Sequence, residues 1–161
     1  MKRQPGGLSF LIAGVTLLLC WLMFVLFFHK PTSQVLFALG NVTVGTGVLL
    51  ILLAMRTLRK RGRLEDQGDF TETTVVVKQG VYSVVRHPLY LGWLLGYPAA
   101  MLVSQHWLVV IVGLMGMMSM IQIIRRADGE LIAKFGPEYE DYMREVPQLN
   151  IILGMARKFR S

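Results

Sequence analysis

The sequence predicts an all-α membrane protein: four transmembrane helices followed by a cytoplasmic amphipathic C-terminal helical segment. Three observations carry that expectation. Mean hydropathy is +0.50, and 53% of the 161 residues are hydrophobic, more than a soluble domain of this size carries. The apolar residues gather into four runs. Finally, 16 of the 17 Lys and Arg residues fall on one side of those runs, with only Lys30 on the other.

The first run, Leu8 to Phe28, has 21 residues and no charge. As a helix it is about 31 Å long, enough to cross the hydrocarbon. It is too long for a cleaved leader and has no small-residue cleavage site near its end. The second run is Val35 to Met55, where Gly40, Gly45 and Gly47 would admit a neighbouring backbone. From Arg56 to Asp69 the chain reads as a charged, glycine-bearing linker, mobile at the membrane surface. The β-branched run from Thr73 to Val77 favours extended backbone, and Gly80 supplies a turn after it.

The third run, Leu89 to Val103, is 15 residues long, about 22 Å as a helix, and contains Pro98. His87 precedes Pro88, so His87 is driven from helical dihedrals while Pro88 suits the first helical position. Gly92 and Gly96 form a small-residue pair one turn apart. The fourth run is Trp107 to Ile124. Beyond it the chain turns polar and stays helical through Leu131 and Phe135, until Gly136-Pro137 breaks it. A short helix follows, with Pro137 at its start, acidic residues in its first turn, and an apolar face of Tyr139, Tyr142, Met143 and Val146. Pro147 ends it. This helix would lie on the membrane and roof the corner made by His87.

The whole of 1–161 reads as one membrane domain. It divides into scaffold helices (1–56), a cytoplasmic linker (57–79), a core (80–147) and a basic tail (148–161). The positive-inside rule places both termini and the polar chemistry in the cytoplasm. The net charge of +7 is then a topology signal with affinity for anionic headgroups. No zinc-finger spacing or aromatic-basic stripe points to nucleic acid, and none is expected. Cys20, the single cysteine, falls inside the first run as a core thiol, and no metal-ligand spacing occurs. The expected partners are membrane lipids and a lipophilic acceptor, and the glycine faces permit a homo-oligomer.

Chemistry-bearing residues converge where the third run begins and the fourth ends. Tyr82, His87 and Tyr90 lie on one side; Asp128 or Glu130, with Arg125 or Arg126, lie on the other. Cations, carboxylates and aromatic faces suit a ligand that carries an amine, a carboxylate and a flat base. An aromatic face also stabilises a sulfonium by cation–π attraction. The competing reading is an interfacial belt, in which Arg86, Tyr90, Trp93, Arg125 and Arg126 merely decorate helix ends.

The ordered runs decide between them. Gly80-Val81-Tyr82 with Arg86-His87-Pro88-Leu89-Tyr90-Leu91-Gly92, and later Leu131, Phe135-Gly136, Tyr139, Tyr142 and Val146-Pro147, resemble the isoprenylcysteine carboxyl methyltransferases and related phospholipid methyltransferases. The resembling stretch runs from about Val75 to Pro147. It implies a membrane methyltransferase using S-adenosylmethionine from the cytoplasmic side, with a lipophilic acceptor arriving from the bilayer. The acceptor could be an isoprenylcysteine-like carboxylate, a lipid amine or a thiol. By the same resemblance the cofactor contacts are Val77, Tyr82, Arg86, His87, Pro88, Leu89 and Tyr90, with Asp128 at the acidic position. Arg126, Asp128 and Glu130 are the residues expected at the reaction. One departure stands out: where the family has paired glutamates before the Phe-Gly, this chain has Ala127 and Asp128. Membrane sterol reductases share a similar pattern, so a nicotinamide-dependent reductase is the second enzyme reading. A non-catalytic module with a degraded cofactor site is the third.

Overall fold

The computed structural model describes residues 7–27, 32–62 and 73–159. Among these, the regular structure is helical: α1 (Gly7–Phe27), α2 (Gln34–Arg61), α3 (Pro88–Ser104), α4 (Trp107–Phe135), α5 (Pro137–Glu145) and α6 (Ile151–Lys158), with a 3-10 turn over Gly80–Ser83. Residues 63–72, most of the expected linker, lie outside the described residues, as do Lys2, Arg3, Lys30 and Arg160.

α2 and α4 are long and apolar enough to cross a membrane, while Leu11–Leu26 and α3 are shorter apolar helices. Their outward residues are not those of a water-soluble surface. Leu18, Val25, Val42 and Met118 are each about two-thirds exposed. Apolar exposure on this scale suits a hydrocarbon environment.

Three boundaries depart from the sequence expectation. α2 continues through Arg56 to Arg61 instead of yielding to a linker at Met55. Leu, Arg and Lys are good helix formers, and Arg59, Lys60 and Arg61 complement the negative end of the helix dipole. Thr73 to Val77 forms no strand among the described residues: Thr73 makes an isolated bridge, Thr74 and Val75 bend, and Thr74 N–H donates to Gly62 O at 3.1 Å. The basic tail contains α6, capped by Asn150, whose side chain accepts from Leu153 N–H at 3.0 Å. Two helix starts fall where the sequence places them. α3 begins at Pro88 and α5 at Pro137, after Gly136 at φ +60°, a value glycine adopts freely.

The chain packs as two units. The first takes Met1–Val48 and Gly92–Arg126, the second Leu49–Leu91 and Ala127–Ser161. In the first, the buried Tyr97 hydroxyl donates to Ala13 O at 2.7 Å, and Cys20 is a buried free thiol 3.9 Å from Val109 O. Gly47 lets α2 and α3 approach closely, since a Cβ there would meet Gly92 O at 2.9 Å. The α3–α4 turn carries Gln105, whose side chain accepts from Ser33 N–H and donates to Ser33 O, both at 2.7 Å. The second unit holds the chemistry.

Candidate active site

In the second unit, the start of α3 meets the end of α4 under a roof made by α5. The chain before α3 is pinned by the segment after α5: Arg86 N–H donates to Pro147 O at 3.0 Å and His87 N–H to Gln148 O at 3.3 Å. Pro88 is fully buried at the helix start. The Tyr142 hydroxyl donates to Tyr82 O at 2.6 Å, fastening α5 to the 3-10 turn. Tyr139, Tyr142 and Val146 form one apolar cluster with Val76, Leu131 and Phe135 against them, as the helical spacing of the tyrosines predicts.

Asp128 is the hub. Its Oδ1 accepts from His87 Nε2 and from the Tyr139 hydroxyl, each at 2.7 Å. Its Oδ2 accepts from Arg86 Nη2 at 3.1 Å and Gln148 Nε2 at 2.9 Å. A carboxylate can only accept, so the His87 proton facing it sits on Nε2. Burial alone would raise the Asp128 carboxyl, but the hydrogen bonds from His87 and Tyr139 and the positive charge beside it outweigh that and hold it below the ordinary carboxylate range. Burial pushes the Tyr82, Tyr139 and Tyr142 hydroxyls well above their usual range, with the Asp128 charge adding to the effect at Tyr139. All three stay neutral donors. Arg86 also donates through Nη1 to Met143 O at 3.2 Å, while its Nε is buried with no partner among the described residues.

Beside this hub is a cavity of about 300 Å³. Of the residues expected at the site, Val77, Tyr82, Arg86, His87, Leu89, Tyr90 and Glu130 line it. Asp128 and Pro88 do not; they stand behind the lining. Arg126 is exposed and belongs to the first unit. The helix period explains the split between the two acids. Ala127, Glu130, Leu131 and Lys134 recur at helical spacing and all face the cavity, whereas Asp128 is turned away toward His87 and Arg86. The rings of His87 and Tyr90 lie 5.6 Å apart at their centres. Leu58, Thr73, Tyr139 and Tyr142 also line the cavity. Leu58 lies in the charged stretch expected to be linker, although the helix formers around it at the end of α2 are a usable signal. Gln148, the fourth donor to Asp128, carries no such signal. Among the described residues no cluster of metal-ligating side chains occurs.

A profile of the family described as phospholipid methyltransferase matches residues 35–135, which spans α2 through α4 and more than half of the chain. The chain belongs to the phospholipid methyltransferase family. It is also similar to methanethiol S-methyltransferase 2 of Bradyrhizobium diazoefficiens, at 39% identity over 70 residues. That alignment covers 43% of this chain and 26% of the relative, so the chain spans about a quarter of that protein's length. No solved structure matches. The family and the long apolar helices together give the chain its membrane character.

Proposed function

We propose that the chain is a four-span integral membrane methyltransferase that uses S-adenosylmethionine and methylates a lipophilic acceptor, with both termini and the cavity on the cytoplasmic side. The observation that carries this reading is the cavity itself. It joins an apolar wall (Val77, Leu89, Leu131), aromatic faces (Tyr82, Tyr90, the His87 ring), one carboxylate (Glu130) and one arginine with an unsatisfied buried N–H. This donor set fits the cofactor. Arg86 suits its carboxylate, and the aromatic faces suit its sulfonium. When bound, S-adenosylmethionine supplies an electrophilic methyl group.

The residues of the chain then have distinct tasks. Asp128 orients His87 and Arg86 and does not face the cavity, which makes it a positioning residue. Tyr139 and Tyr142, held by their hydrogen bonds, close the roof and exclude water, so that positioning and desolvation supply much of the rate. A carboxylate or thiolate acceptor needs no base. An amine or thiol would lose its proton to Glu130, the carboxylate at the cavity wall. The similarity to a methanethiol S-methyltransferase favours weighing a thiol beside the lipid acceptors. Arg126 as an acceptor-side cation rests on sequence resemblance. Incubating the protein with methyl-labelled S-adenosylmethionine and a total lipid extract, and separately with small thiols, tests the reading. Label should pass to one acceptor class in wild type and fall at least about a hundredfold with Glu130→Gln if the acceptor needs a base.

One observation favours a second reading. Ala127 faces the cavity where the family places a glutamate, which is what a degraded cofactor site would show. Ala127→Glu separates the two: a sharp rise in cofactor affinity points to degradation, while little change or a loss points to a native site built around Glu130.

A further inference from the structure

The second unit has another concavity, about 470 Å³, where the last turns of α2 meet the turn that opens the 3-10 segment. Arg56, Lys60 and Arg61 reach it from α2, and Gln79 and Gly80 from the turn, with Leu53 at its apolar edge. We propose that this groove holds the phosphate of an anionic lipid headgroup.

The lining is rich in donors and positive charge. Arg56 and Lys60 lie four residues apart on one helix face, where like charges repel. Among the described residues, none of the three cations is paired with a carboxylate in an ion pair. The dipole at the end of α2 accounts for cations in the last turn, but not for Arg56 a turn further in, nor for a concavity beside them. A phosphate would relieve the repulsion, and an arginine fork matches its oxygens. Gly80 shapes the floor. At φ +63° it draws the turn onto the helix so closely that a Cβ there would meet Thr57 Oγ1 at 3.0 Å.

Position selects a lipid over a free anion. The apolar run of α2 ends at Met55, so the groove opens where the helix leaves hydrocarbon-like sequence, the level at which headgroup phosphates lie. Leu53 on its edge suits the start of an acyl chain. An occupant would also bridge α2 to Val81, the neighbour of the cavity residue Tyr82. Nothing in this site requires the proposed reaction.

Native mass spectrometry of the full chain in mild detergent provides the test, with phosphatidylglycerol, phosphatidylcholine and inorganic phosphate as probes. Phosphatidylglycerol should bind at least about tenfold tighter than phosphatidylcholine. The double variant Arg56→Gln/Lys60→Gln should lose that preference, whereas Lys60→Arg and the charge-matched Arg144→Gln/Lys158→Gln should keep it. Circular dichroism checks that each variant is folded. Equal loss in both double variants would reduce the effect to a general basic rim and overturn the site. Displacement of the lipid by millimolar inorganic phosphate would overturn the lipid assignment in favour of a free phosphate.

Discussion

At the scale of single residues, Asp128 matters most because it is buried with four donors on two oxygens. Asp128→Asn keeps the shape but leaves the Arg86 guanidinium, only 8% exposed, without its counter-charge. Removing one partner of a buried pair costs about 3 kcal/mol or more, and chemical denaturation in detergent should show a loss of that size. The pH dependence has a definite sign. The folded carboxyl titrates below the ordinary 3.8, so its contribution is complete above that value and is lost as pH falls below it. The stability gap between wild type and Asp128→Asn should therefore narrow as pH falls below about 3.8. A gap that narrows between pH 7 and 5 would point to another group. The site was partly legible at this scale. The Arg-His-Pro run and Tyr82 were identified by order and residue type. The division of labour between Asp128 and Glu130 was also there to be read, since only the second shares a helix face with Ala127, Leu131 and Lys134. Gln148 was not legible, because its partner comes from twenty residues away in sequence.

At the scale of elements, the helix starts were written in Pro88 and Pro137, and the break between α4 and α5 in Gly136. The extension of α2 to Arg61 was hidden by composition, since the charges that look like linker are also good helix formers. α6 was hidden by its length, too short to be stable without tertiary contacts. Those contacts rest on Gly154, where any Cβ would run into the backbone carbonyl of Val84. Gly154→Ala should lower stability by about 2 kcal/mol. Because the segment leading into α6 pins Arg86 and His87, the same change should weaken ligand binding. Gly129→Ala is the opposite case: it lies inside α4 with nothing near its missing Cβ, and should raise stability by about 0.5–1 kcal/mol. Thermal denaturation of the two variants side by side checks both signs. Equal shifts would contradict the packing described for α6.

For the whole molecule, the charge asymmetry is the guide. With basic residues at the termini and around the central loop, both ends should face the cytoplasm. A C-terminal fluorescent-protein fusion should be bright and a C-terminal alkaline phosphatase fusion inactive, with the reverse for fusions at the Gln105 turn. At this level hydropathy made the membrane character and the apolar helices legible, since bilayer thickness sets the length of an apolar run. The cavity was less so, because it depends on Leu58, Thr73 and α5 meeting through the fold. The central claim is that this cavity binds an adenosyl sulfonium cofactor. Isothermal titration of the full chain in detergent with S-adenosylhomocysteine tests it most directly. Saturable binding to wild type, weakened at least about tenfold in a folded His87→Ala variant, is the expected result. Absence of binding to folded wild type, or equal binding to both proteins, would contradict it.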